Sequence, residues 1–183
     1  MMRRIVFVLA FVLMTSSFVS AQGLGLGPQL GFQKAADAEE GKLMGGVALR
    51  MKLSPALGVE GSINYRQEEY EDGAVTVKSW PVMVTGMVYP IPVAYGLIGA
   101  GWYNTTMDYD EDMFLGVVEI EDETTQNFGW HFGGGVEFPV GTNMKLAADI
   151  RYVFLDYDFE EAPGSEDVES DFFMINVGLL FGL

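Results

Sequence analysis

Few side chains in this sequence are equipped for covalent chemistry. It holds one histidine, His131, and no cysteine, which excludes thiol nucleophiles, disulfides and zinc–thiolate clusters. As a general base, His131 would need a nucleophile or metal partners within reach. It stands in Trp130-His131-Phe132-Gly133, with no serine beside it. Asp108, Asp110 and Asp112 of "DYDED", with "EIEDE" at 119–123, are the weak candidates for a Ca²⁺ or Mg²⁺ site. Neither run has the ligand spacing or turn glycine of an EF-hand loop. The glycines of "GLGLG" and "GGG" keep strand parity with no helix after them, which removes a phosphate-cradling loop. The expectation is no catalytic residue, no resident metal and no cofactor.

The remaining polar residues with possible roles share one parity. In 129–154 His131, Glu137, Lys145, Asp149 and Arg151 are odd, and Trp130, Phe132, Val136, Phe138, Leu146, Ile150, Tyr152 and Phe154 are even. Elsewhere Arg50, Lys52, Glu60 and Arg66 alternate with apolar neighbours in the same way. A period of two predicts strands whose polar and apolar faces oppose each other. A helix is ruled out by that period and by the density of glycine.

The breaks between strands are of two kinds. Four are acidic: "KAADAEEG" (34–41), "EEYEDGA" (68–74), 107–125 and 156–171, and they hold 23 of the 26 acidic residues. Three are short and carry proline: "SPA" (54–56), "YPIPV" (89–93) and "PVGTN" (139–143). The two kinds alternate, so seven breaks predict eight strands. The facing of 74–89 and 93–106 stays open, because Lys78, Gly99 and Gly101 pull the parity both ways. In "MFLGVVEIE" (113–121) partial alternation suggests a hairpin protruding beyond its neighbours, an edge that would recruit a partner strand.

Residues 1–21 have a basic start at Arg3 and Arg4, an apolar run from Ile5 to Met14, and Val19-Ser20-Ala21 before Gln22. That pattern predicts a secretory signal peptide, leaving a domain of 22–183. Its removal takes the formal net charge from −16 to −18. So acidic a chain, with no basic stripe, excludes nucleic acid as a partner.

Alternation alone fits a soluble barrel with an apolar interior or a membrane barrel with an apolar exterior. The residues favour the second. The polar face is mostly glycine, alanine, serine and asparagine, as a narrow lumen requires. Apolar rows of about ten tilted residues match the ~25 Å band of an outer membrane. Aromatics gather at strand ends: Phe32, Tyr65, Trp130, Tyr152, Phe154 and Phe173 toward the acidic loops, Phe138 and Phe181 toward the other rim. Such girdles mark lipid–water interfaces. A turn centred on Pro55 sets Arg50 opposite Glu60 and Tyr65 over Gly45. A turn centred on Gly141 would set Glu137 opposite Lys145 and His131 beside Arg151, with slips of two residues open. A one-residue slip would turn bases to lipid, at about 2–4 kcal/mol each at mid-membrane.

The run "FGWHFGGGVEFPVGTNMKLAADIRYVFLD" (128–156), with "LSPALGVEGSINY" (53–65) and a final strand, resembles the small outer-membrane β-barrel domain superfamily. OmpX-like proteins and the OmpA transmembrane domain are members. The resemblance implies eight antiparallel strands, periplasmic termini, four extracellular loops, and a last strand read by the barrel assembly machinery. Leu183 ends the chain with Phe181 two before it, so the terminal aromatic is displaced. With no further domain after the barrel, peptidoglycan anchoring of the OmpA type is not expected.

The sequence therefore predicts an all-β, eight-stranded antiparallel up-and-down transmembrane barrel of the Gram-negative outer membrane. Arg50, Lys52, Glu60, Arg66, His131, Glu137, Lys145, Asp149 and Arg151 form its lumen polar network, and eight strands leave room only for side chains. A non-enzymatic structural or surface-interaction role is expected, with outer-membrane lipid and lipopolysaccharide as surroundings and an extracellular partner for the acidic loops. The alternatives are a narrow ion or water pore, a lipid-modifying enzyme, and a secreted lipocalin-like binding barrel.

Overall fold

A computed structural model describes residues 23–35, 41–70, 75–109, 123–156 and 171–183. Nine strands follow in chain order: β1 (Leu24–Ala35), β2 (Lys42–Lys52), β3 (Leu57–Tyr70), β4 (Val75–Ser79), β5 (Val82–Ile91), β6 (Ala94–Tyr109), β7 (Glu123–Pro139), β8 (Met144–Asp156) and β9 (Phe172–Gly182). Each pairs antiparallel with its neighbours, and β1 pairs with β9 to close the cylinder. β4 and β5 are two parts of one wall strand, so the barrel has eight staves.

That interruption falls at Trp80-Pro81, where the proline has no N–H to give a ladder. Register is nonetheless kept across it. Arg66 and Ile63 of β3 face Ser79 and Val82, and Thr105 and Trp102 of β6 face the same two residues. Three hydrogen bonds span the gap: Asn64 N to Pro81 O (3.1 Å), Trp80 N to Asn104 O (2.9 Å), and Asn104 Nδ2 to Trp80 O (3.2 Å). Parity therefore runs unbroken, and the facing that the sequence left open is settled. Trp80, Val82, Val84, Val88, Ile98 and Trp102 point out; Met83, Thr85, Met87, Tyr89, Tyr95, Leu97 and Tyr103 point in.

The three short turns share one end of the cylinder. Leu53 N bonds Leu57 O at 2.9 Å around 54–56, with the Ser54 hydroxyl accepting from the N–H groups of Ala56 and Leu57. Val140 N bonds Met144 O at 2.8 Å around 141–143, where Gly141 takes φ +140°, a value that favours glycine. The strand ends that flank the long acidic stretches share the other end. Strands run into those stretches: β3 reaches Tyr70, β6 reaches Tyr109 and β7 begins at Glu123. The proposed hairpin residues 113–121 lie outside the described residues.

The wall is turned inside out relative to a water-soluble domain. Leu43 is 77 % exposed and Ile98 66 %, whereas Arg151 and Glu60 are 1 % exposed. Apolar side chains of that size on every stave would be heavily penalised in water. Buried guanidinium and carboxylate groups persist only where they are paired.

Candidate functional site in the barrel lumen

Three layers fill the lumen. Nearest the acidic end, Met44, Met83, Tyr103, Val153, Phe172 and Met174 form an apolar cap. Below it lies an ion-pair layer, and below that the mouth at the turn end. Interior glycines open the space these side chains need. Gly46 stands between Gln29 of β1 and Asn64 of β3 in the register, and a Cβ there would strike the Asn64 oxygen; without one, Gln29 Nε2 donates to Asn64 Oδ1 at 2.8 Å. A Cβ on Gly99 would likewise meet the His131 ring, and one on Gly135 the Tyr95 ring and Asp149.

The ion-pair layer centres on two arginines. Arg151 donates from Nε to Asp149 Oδ1 (2.7 Å) and from Nη2 to Glu60 Oε1 (2.6 Å) and Asp149 Oδ2 (3.1 Å). Arg50 donates from Nε and Nη2 to Glu60 Oε2 (2.9 and 2.5 Å) and from Nη1 to Glu137 Oε2 (3.0 Å). Tyr95 accepts from Arg50 at 3.3 Å and donates to Asp149 at 3.2 Å, and Asn176 Nδ2 donates to Asp149 Oδ1 at 3.0 Å. The two arginines are balanced by Glu60 and Asp149, with Glu137 linking Arg50 to the lysines of the mouth; nearly all lone pairs are engaged, which is the condition under which buried charge is tolerated.

The turn after Pro55 gives the expected register, with Arg50 facing Glu60 and Gly45 facing Tyr65. The turn after Pro139 does not. Glu137 faces Ala147, Lys145 faces Pro139, and His131 faces Val153 rather than Arg151. The slip is two residues, because Gly141 opens a three-residue loop instead of standing at its centre. Parity survives a slip of two. Lys145 still reaches Glu137 along the lumen, Nζ to Oε1 at 3.0 Å, and His131 meets Arg151 only through Thr85.

His131 Nε2 lies 2.9 Å from Thr85 Oγ1. A hydroxyl beside an imidazole is the start of a nucleophile–base pair. Both residues are 1 % exposed, below the apolar cap. Lys52 completes the mouth with a 3.1 Å ion pair to Glu137. Arg66 stands apart, at the acidic end, paired to Glu68 at 3.2 Å.

Asp110 and Asp112 lie outside the described residues, and the side chain of Asp108 does too. Among the described residues no group of three or more acidic or histidine side chains could hold a metal ion. Tyr65, Trp130, Phe154, Phe173, Phe138 and Phe181 are exposed on the outer wall, with Phe32 and Tyr152 half-buried there. Trp80, Trp102 and Phe128 join them; Trp102 and Phe128 continue into Trp130 by edge-to-face contacts. Sequence reasoning missed Trp80 and Trp102, together with the lumen partners Thr85, Tyr89 and Tyr95, because they sit on the two strands whose facing was open. It also missed Gln29, Asn64 and Asn176, whose inward parity was readable although their partners were not.

The family whose description is "Outer membrane protein beta-barrel domain" matches residues 5–181. The chain belongs to that family. As an outer-membrane barrel it has lipid, not water, against Leu43, Ile98 and the aromatic rows. Among solved structures it is similar to a major outer membrane protein from Thermus thermophilus (TM-score 0.59, 11 % identity, 86 % of this chain and 98 % of that one). It is also similar to Neisserial surface protein A (TM-score 0.57, 11 % identity, 90 % and 98 %). A third is Ail, the attachment invasion locus protein of Yersinia pestis, in complex with the heparin analogue sucrose octasulfate (TM-score 0.50, 16 % identity, 87 % and 95 %). At such identities the likeness is one of fold. No curated protein matches the chain.

Proposed function

We propose that this outer-membrane barrel is a non-enzymatic surface-interaction protein, exported by residues 1–21, with its acidic loops outside the cell and its termini in the periplasm. The observation that carries the reading is the uneven height of the wall. β2 begins at Lys42 and β9 at Phe172, with Gly41 and Asp171 before them outside any strand, whereas β7 stays paired with β6 to Glu123 facing Met107. β4 and the end of β3 rise beside β6 in the same way. A four-stranded sheet thus stands above its neighbours among the described residues, and its raised end is the proposed contact surface.

The chemistry of that surface selects the partner. The four acidic stretches hold 23 carboxylates. A sulfated polyanion of the kind bound to Ail would be repelled, whereas a basic surface would be drawn in. The plugged lumen supports a role outside the pore.

Replacing residues 110–122 by a short glycine–serine turn tests the reading on whole cells. Cells carrying the intact chain should adhere to a polylysine-coated surface, and the shortened variant should lose that adhesion. A tag placed in 110–122 should be labelled on unbroken cells; labelling only after the outer membrane is opened would reverse the orientation. Planar bilayers should carry no steady current, and His131→Ala should leave lipid A unchanged. A stable pore or an altered lipid A would replace this reading with another.

A further inference from the structure

At the turn end the barrel opens into a cavity of about 410 Å³, with Arg50, Lys52, Glu137 and Lys145 among its walls and Leu24, Met144 and Leu180 as apolar lining. Its size lies within the range of small-molecule sites. The polar groups there are unequally satisfied. Glu137 Oε1 accepts from Lys145 (3.0 Å) and Lys52 (3.1 Å), and Oε2 accepts from Arg50 (3.0 Å) and the Tyr89 hydroxyl (3.3 Å). A carboxylate offers about four acceptor sites, so Glu137 is full.

The lysines are not. Each ammonium carries three donors, and Lys145 spends one on Glu137. Lys52 spends one on Glu137 and rests over the Tyr89 ring, 4.1 Å from its centre. Their side chains are 41 % and 23 % exposed, open to the cavity. Charge leans the same way. Arg50 and Arg151 are balanced by Glu60 and Asp149, which among the described side chains leaves Lys52 and Lys145 facing the one carboxylate of Glu137. The turns at 54–56, 92–93 and 140–143 add no acidic residue. On a chain whose other rim is densely anionic, this mouth is where an anion can approach.

We propose that the turn-end cavity is a binding site for a small organic anion, its carboxylate or phosphate oxygens accepting the spare N–H donors of Lys52 and Lys145 while its apolar body lies on Leu24, Met144 and Leu180. The apolar cap of Met44, Met83, Tyr103, Val153, Phe172 and Met174 closes the far side, so the anion enters and leaves by the same mouth.

Phenyl phosphate and benzoate are the probes, with benzyl alcohol as the neutral control, titrated into the full barrel in detergent micelles. The readout is the backbone amide resonances of Gly25, Thr142, Asn143 and Gly182. Saturable shifts are expected with either anion and none with the alcohol. Lys52→Gln combined with Lys145→Gln should weaken binding at least about tenfold. Lys34→Gln, at the acidic end, should leave it unchanged. Resistance of the unheated variant to sodium dodecyl sulfate verifies folding. Absence of a saturable shift at about 10 mM anion, equal response to the alcohol, or full binding by the folded double variant would each overturn the proposal.

Discussion

In the loop-end half of the lumen Met44, Met83, Tyr103, Val153, Phe172 and Met174 meet as sulfur, ring and methyl groups. In the turn-end half Arg50, Glu60, Glu137, Asp149 and Arg151 meet as ion pairs. β2 and β8 contribute to both halves, and on each the parity is the same. The halves differ in what a defect would cost. An apolar filling loses contacts in proportion to the volume removed. A buried ion pair loses its compensation all at once when one partner goes. The cap therefore excludes water by volume, and the layer beneath it holds the staves in register by stoichiometry.

The sharpest way to break this contrast is Arg151→Met. It removes the cation hydrogen-bonded to Asp149 and one of the two that hold Glu60, and a loss of about 3–5 kcal/mol is expected, read from urea unfolding in micelles. Adding Asp149→Asn, which keeps Glu60 paired to Arg50 and removes one anion for one cation, should restore much of that loss; a double variant no more stable than Arg151→Met would mean packing, not charge, is responsible. Met83→Ala in the cap should cost about 2–3 kcal/mol by leaving a cavity, measured in the same way. Thr85→Val, which removes the hydroxyl shared by His131 and Arg151, should cost about 1–2 kcal/mol. The smallest effect belongs to Lys145→Gln at the half-exposed mouth, below about 1 kcal/mol. Repeating that unfolding at high salt should abolish the difference, because the pair is screened.

Much of the lumen was legible because membrane strands separate their residue types so strictly. Arg50 and Glu60 straddle a turn whose centre, Pro55, is the midpoint of "SPA", so one assumption about the turn fixed the pair. The same assumption at Gly141 misplaced Lys145 by two residues, since a positive-φ glycine opens that loop and a shift of two leaves every side chain on its own face. The facing of β5 and β6 was hidden for a different reason. Apart from Thr85, their large inward residues are Met83, Met87, Tyr89, Tyr95, Leu97 and Tyr103, nearly as apolar as the residues turned to lipid, so hydropathy carries little contrast there. Lys78 misled because it lies in the short β4, on the parity of Trp80 and beyond the Trp80-Pro81 break. Parity counted through that break from Glu60 and its facing residue Thr85 resolves it. The acidic stretches, rich in charge and poor in alternation, gave no basis for assigning ligand geometry to Asp108, Asp110 or Asp112.

Glu137 has a mechanical consequence. From β7 its two oxygens reach Arg50 and Lys52 on β2, Tyr89 on β5 and Lys145 on β8, which places one carboxylate at the hub of four spokes across the open mouth. A tube of hydrogen-bonded strands flattens easily where its rim is unsupported. These spokes resist ovalisation under lateral membrane pressure, as internal bracing does in a thin-walled cylinder.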